Sequence, residues 1–336
     1  MSRRTRAFVA VAGVLVVVAT SYVGLQILRS GGPVSGQMSA AIPKGPTLMA
    51  LLNQPHLVFL QPSLTDRTKN ELAVAPLAAP ADRVLTGLHC SRAYVLARFG
   101  VCLGENYDGM SHLLDGALAP GVGFIQPGIA SRARVSPDGR WASTTVFVAG
   151  HSYAVAGFST QTLIYDVASG VATSLESFTV SRDGRTFDSP DFNFWGVTFA
   201  GGSSFYATLG TGGHTYLIKG DLARRTATVI RDGVECPSLS PDGTRIVYKS
   251  AVPGTTGRQW RLHILDLRTM VDRPLDETRN VDDQAEWLDN QTVLYGLMVP
   301  PTLDVDLWAL PVDGGTPTLY LRHAASPAVV QETPAP

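Results

Sequence analysis

The stretch Ser238-Leu239-Ser240-Pro241-Asp242-Gly243-Thr244-Arg245-Ile246-Val247-Tyr248 sets a Ser-Pro-Asp-Gly turn between two short apolar runs. Proline presets φ at the first central position of a tight turn and glycine accepts positive φ at its end, so the flanking residues are read as antiparallel strands. The phrase returns. It stands as Arg134-Val135-Ser136-Pro137-Asp138-Gly139-Arg140-Trp141-Ala142, and in degraded form as Glu286-Trp287-Leu288-Asp289-Asn290-Gln291-Thr292-Val293-Leu294-Tyr295. Asp242 and Asp289 are 47 residues apart and Asp138 and Asp242 are 104 apart, about twice that spacing, and the copy between them is residues 197–207. After each copy comes a second phrase, a strand ending in a polar turn: Leu163-Ile164-Tyr165-Asp166, Tyr216-Leu217-Ile218-Lys219, Leu262-His263-Ile264-Leu265-Asp266 and Leu307-Trp308-Ala309-Leu310.

A repeat of this kind is a four-stranded antiparallel meander, which cannot bury both of its faces alone. Arrayed radially, neighbouring sheets cover one another, and repeats of about 40–50 residues are the signature of that solution. Residues 56–85 and 86–127 supply two further, poorly matching units, so the expectation is an all-β, six-bladed β-propeller over residues 48–330. The quoted phrases resemble the WD40-like β-propeller repeat of the TolB-like six-bladed propellers of bacterial envelope proteins. The match is good in the units that begin near Arg132 and Glu235 and fades toward the N-terminus. TolB itself has an additional N-terminal α/β domain, where this sequence has an apolar segment and a short linker, so the Tol-system role is not carried over and the resemblance implies architecture, with an interaction role as the associated expectation.

That segment begins with Arg3, Arg4 and Arg6 and runs without charge over residues 7–28. It is long enough to cross a bilayer as a helix, and the arginines orient residues 1–6 toward the cytoplasm. A single transmembrane helix is expected there; the alternative is a cleaved signal peptide, whose apolar region is usually shorter. No cysteine follows the run until Cys90, so a lipidated N-terminus is not supported. Residues 29–47 are rich in Gly, Pro, Ser and Ala and read as a flexible linker, and residues 331–336 as a disordered tail. The expected location is therefore the cell membrane, with the propeller extracytoplasmic.

Of the 27 Lys and Arg, four flank the apolar run, leaving 23 against 28 Asp and Glu in the remainder. A mildly acidic domain offers no footprint for nucleic acid. Of three cysteines, Cys90 and Cys102 flank a hairpin-like stretch and are expected to form a disulfide in an oxidising compartment, two reduced thiols being the alternative, with Cys236 left over as a buried thiol.

The sequence has no Gly-x-Ser-x-Gly elbow, no His-Glu-x-x-His and no phosphate-binding Gly-x-x-x-x-Gly-Lys, and no catalytic residue is assigned. Positions just before each Ser-Pro-Asp-Gly strand enter the innermost strand of a blade and ring the channel mouth. The 47- and 104-residue registers equate Glu235 and Cys236 with Asp282 and Asp283, and with Ser131 and Arg132. Asn193, Phe194 and Trp195 come from the blade between, and His323 with Ser326 from the closing phrase. The candidate binding residues are Glu235, Asp282, Asp283, Arg132, Asn193, Trp195 and His323, since a few convergent polar groups beside apolar area make a binding funnel; the competing reading is that they cap strand ends and bond neighbouring blades. Ca²⁺ on Asp282, Asp283 and Glu235 is the one cofactor considered. The expected function is a non-catalytic binding or scaffold module for an envelope protein or peptide. A metal-dependent propeller enzyme of lyase or lactonase type, and a small-molecule or glycan sensor, are the alternatives.

Overall fold

A computed structural model describes residues 47–62, 70–96, 99–105, 109–148, 159–255, 258–301 and 304–331. The expected membrane helix, the linker up to residue 46 and the tail from residue 332 lie outside these residues. Among the described residues no helix is long and apolar enough to cross a membrane.

The chain opens with a short helix, α1 (Leu48–Leu52), whose first turn is capped by the Thr47 hydroxyl accepting from the Ala50 amide at 3.4 Å. Among the described residues twenty-six strands follow in six sheets, antiparallel throughout except for one pairing in blade 4. Blade 1 holds β1 (His56–Pro62), β2 (Asn70–Pro76) and β3 (Val84–His89). Blade 2 holds β4 (Arg92–Leu96), β5 (Phe99–Leu103), β6 (Met110–Asp115) and β7 (Pro120–Ile125). Blade 3 holds β8 (Ile129–Val135), β9 (Trp141–Val148), β10 (Ser159–Asp166) and β11 (Ala172–Ser174). A hairpin, β12 (Thr179–Arg182) and β13 (Arg185–Phe187), precedes the main strands of blade 4, β14 (Asn193–Phe199), β15 (Ser204–Thr211), β16 (His214–Asp221) and β17 (Thr226–Asp232). Blade 5 holds β18 (Glu235–Leu239), β19 (Arg245–Ala251), β20 (Trp260–Asp266) and β21 (Asp272–Pro274). Blade 6 holds β22 (Glu286–Trp287), β23 (Thr292–Met298), β24 (Val305–Pro311) and β25 (Thr318–Leu321).

The last strand, β26 (Ala325–Val330), returns to blade 1 and becomes its innermost strand, pairing antiparallel with β1 from Ala325 opposite Leu60 to Val330 opposite His56. The sequence left the mode of closure open; the two ends of the domain thus share one sheet. Strands β26, β4, β8, β14, β18 and β22 touch in that order around the axis. Two boundaries differ from expectation. Thr86 lies inside β3, so blade 2 begins at Arg92 and not at residue 86. Blade 4 is six-stranded, because β12 pairs in parallel with β17 and adds β13 beyond it.

The near-continuous apolar runs follow from two-sided burial. In β1, Leu57 and Phe59 pack toward blade 6 while Val58 and Leu60 pack toward blade 2. In β19, Ile246 faces blade 4 and Val247 faces blade 6. Period-two alternation thus feeds two interfaces, and six clusters fill the six blade-to-blade gaps.

The repeated turn has a specific chemistry. Ser240 Oγ donates to Asp242 Oδ1 at 2.6 Å and accepts from the Arg245 amide at 3.0 Å, and Gly243 adopts φ +70°. Ser136, Asp138, Trp141 and Gly139 reproduce the arrangement in blade 3. These turns join the first strand of a blade to the second, and so lie at the end of the propeller opposite the starts of the inner strands.

Candidate functional site

The inner strands all run in the same direction, and the first residues of β4, β8 and β26, with the segment that leads into β22, line a cleft at the axis. It is lined by Arg92, Tyr94, Ser131, Arg132, Arg134, Asp283, Gln284 and Ser326 together with Ala93, Ala133 and Pro327, and encloses about 30 Å³. Two of the lining strands carry a bulge. Pairing of β8 with β9 slips between Ala130 and Arg132, and pairing of β26 with β1 slips between Ala325 and Ala328, where Ser326 takes a φ of +50°.

The floor is a polar network. Arg134 of blade 3 meets Glu286 of blade 6, the blade directly opposite, in a buried ion pair. Arg134 also donates to the Ala285 carbonyl at 2.8 Å and lies 4.5 Å above the Tyr94 ring. Tyr94 donates to Glu286 Oε1 at 2.9 Å, and the Val329 amide to the same oxygen at 3.2 Å. Burial, and then the Glu286 charge, push the Tyr94 hydroxyl pKa well up, so it remains a donor. Gln284 donates to the carbonyls of Pro237 at 2.6 Å and Val197 at 3.3 Å. These bonds link all six blades across the axis.

Above the floor, Arg92 donates to Ser326 Oγ at 3.1 Å. Arg132 donates through Nη1 to the Ser131 carbonyl at 2.8 Å and stands 3.8 Å from Asp283 Oδ1. The Nε groups of Arg132 and Arg134 are buried without a hydrogen-bond partner. Burial works to raise the Asp283 carboxyl pKa, but Arg132 and Arg92 outweigh it and hold Asp283 below the usual Asp range. The Arg92 guanidinium is destabilised first by burial, against which Asp283 works, and then by Arg132.

Of the sequence candidates, Arg132 and Asp283 line this cleft. Asp282 is more than half exposed and binds the buried Lys249 ammonium at 2.6 Å. Glu235 is buried and pairs across the sheet with Lys249. Asn193 bridges two blades, accepting from the Thr160 amide at 2.7 Å, and Trp195 is buried with its ring against Gly210. His323 sits on the rim, half exposed, 3.3 Å from Asp304. These last five lie outside the lining of the cleft. The three carboxylates considered for calcium do not converge, and among the described residues no group of three or more His, Cys, Asp or Glu is placed to hold a metal ion.

Sequence reading did not single out Arg92, Arg134, Tyr94, Gln284 or Glu286. The signal for Arg134 was present, since it stands two residues from Arg132 in a strand and so shares its face. Cys90 and Cys102 are joined as expected, with Cα atoms 5.4 Å apart, and Cys236 is a free, buried thiol. A second concavity, a groove between blades 5 and 6, is lined by Asp276, Glu277, Arg279, Trp308, Gly315 and Thr316 among others.

No protein-family model matches the sequence, and no curated protein matches it. Solved structures do. TolB from Acinetobacter baumannii is 15% identical, with a TM-score of 0.58 over 82% of this chain and 66% of that one. The tricorn protease is 10% identical, with a TM-score of 0.51 over 82% of this chain and 30% of that one. The chain thus spans just under two thirds of the TolB structure's length and under a third of the tricorn protease's. At these identities the likeness is one of fold: the chain is an all-β, TolB-like six-bladed propeller.

Proposed function

We propose that this protein is a non-catalytic binding module held outside the cytoplasm by its N-terminal segment, and that it receives a projecting part of an envelope protein or peptide in the mouth of the propeller. The observation that carries the reading is the axial cleft, where the Nε donors of Arg132 and Arg134 are unfilled beside a network that ties the blades together. Preformed, partly unsatisfied polar groups in a concavity are what a ligand completes. The described lining holds one carboxylate, Asp283, and no His. A disulfide persists in an oxidising compartment, which supports placement outside the cytoplasm. Cross-linking of the native membrane protein, compared with an Arg92→Ala, Arg132→Ala variant, tests it. A partner captured by the wild type and lost from the folded variant is the expected result; capture that does not depend on the mouth refutes it.

A second reading, a small-molecule or glycan sensor, is favoured by the groove between blades 5 and 6. There the Arg279 guanidinium lies 3.8 Å from the Trp308 ring centroid and is fixed by the buried Glu277. Loss of binding on a glycan array after Arg279→Ala, with the mouth intact, would separate it from the first.

A further inference from the structure

Resting on the mouth as the binding surface, we propose that the cleft recognises a single carboxylate presented at the tip of an extended chain, which completes the upper layer between Arg92, Arg132 and Ser326. The molecule supplies its own comparison. In the lower layer, Arg134 of blade 3 and Glu286 of blade 6 meet directly across the axis. Two residues earlier on the same strand, Arg132 faces Asp283 of the same opposite blade, but at 3.8 Å, beyond hydrogen-bond distance. Asp283 is held back by accepting from the Gln284 amide at 2.9 Å. The lower cross-axis pair is closed, and the upper one is open.

Charge agrees with geometry. The ionised side chains lining the cleft are Arg92, Arg132, Arg134 and Asp283, and Arg134 is neutralised by Glu286. Within the lining one positive charge is in excess. Outside it, Asp282 binds the Lys249 ammonium and Glu235 sits opposite Lys249 in the sheet. Size narrows the class further. About 30 Å³ accommodates one or two water molecules, and so one planar carboxylate. The remainder of the ligand stays outside the cleft, which makes it an acidic side chain or a C-terminal carboxylate of a peptide. Two guanidiniums from adjacent blades suit such a group, because charge-assisted hydrogen bonds to carboxylate are the strong ones.

The test is a titration of the full-length protein, labelled at arginine Nε, with three tripeptides followed by nitrogen-edited NMR. One is capped at both ends around a central Glu, one is capped around a central Gln, and one is all glycine with a free C-terminus. The expected result is a shift of the Arg132 and Arg92 Nε–H signals with either carboxylate probe and none with the Gln probe; which carboxylate binds more tightly identifies the source. Arg132→Gln should weaken binding at least about tenfold. Asp283→Asn, which leaves both guanidiniums in place and removes the competing charge, should strengthen it severalfold. No shift with either carboxylate, an equal shift with the Gln probe, an equal shift with inorganic phosphate, or weaker binding in Asp283→Asn would each overturn the proposal. Cross-linking distinguishes the two readings: mouth-dependent capture without a carboxylate response retains the binding module and removes this inference, whereas a carboxylate response without capture does the reverse.

Discussion

Replacing Glu286 by Gln isolates the charge at the centre of the ring. The amide oxygen still accepts from Tyr94 and from the Val329 amide, so those bonds, now 2.9 and 3.2 Å, survive. What is lost is the counter-charge to Arg134, whose side chain is 7% exposed. Breaking a buried pair by removing one partner costs about 3–5 kcal/mol, because the remaining ion is uncompensated. Carbonyl and hydroxyl contacts from Ala285 and Ser238 soften this, which places the expected loss near the lower end, about 3 kcal/mol. The double variant Arg134→Met, Glu286→Gln removes the stranded charge and should recover about 2 kcal/mol of that loss. Urea unfolding monitored by tryptophan fluorescence gives both numbers. A single variant within about 1 kcal/mol of wild type, or a double variant less stable than the single, would refute the view of the floor as a charge-balanced staple.

Three further outcomes are expected. Changing both Cys90 and Cys102 to Ala should cost about 3 kcal/mol, since the bridge closes a loop of 12 residues in the unfolded chain; unchanged urea midpoints would contradict this. Gly196→Ala should destabilise by about 2 kcal/mol or more, because a Cβ there would lie 2.7 Å from the Cys236 Cα at a φ of +62°, and a thermal melt equal to wild type would remove the crowding argument. Burial works to raise the Glu277 pKa, but the Arg279 ion pair and the Tyr295 hydroxyl outweigh it and hold it below the usual Glu value. Its stabilisation is then complete above the unfolded Glu pKa of about 4.3 and is lost as pH falls through the lower folded value. Glu277→Gln should flatten that acid limb, and an unchanged pH–stability profile would exclude the effect.

How legible this fold was depended on where the turn chemistry is local. Ser-Pro-Asp-Gly announces blades 3 and 5 because each is one contiguous meander closed by serine and aspartate side chains. Blade 1 has no such period to find: its inner strand is Ala325–Val330 and its next is His56–Pro62, so the unit exists only after the ring closes. The extra hairpin in blade 4 left a signal that was passed over. Asp183-Gly184 adopts positive φ at both residues, as a tight hairpin turn requires, between short runs that alternate. At the site, the repeat register led to Arg132 and Asp283, because inner-strand starts are equivalent in every blade. It also proposed Asn193 and Trp195, which occupy comparable positions, but Asn193 bonds the neighbouring blade and Trp195 packs on Gly210 of its own blade. Residue type does not distinguish a side chain on the axis from one in an interface. Arg92 went unnoticed because β4 lacks the repeat phrase, and Glu286 because its partner lies across the ring, 152 residues away.

Photo-cross-linking from the two ends of the propeller decides whether the mouth meets the partner. A photo-reactive amino acid is placed at the half-exposed His323 on the rim of the mouth, and separately at the exposed Val171 in the turn between β10 and β11 at the far end, in the native full-length protein. One specific adduct from position 323 and none from 171, abolished when an acidic peptide competes, is expected. An adduct from position 171 alone, or one from 323 that acidic peptide leaves untouched, would refute binding at the mouth.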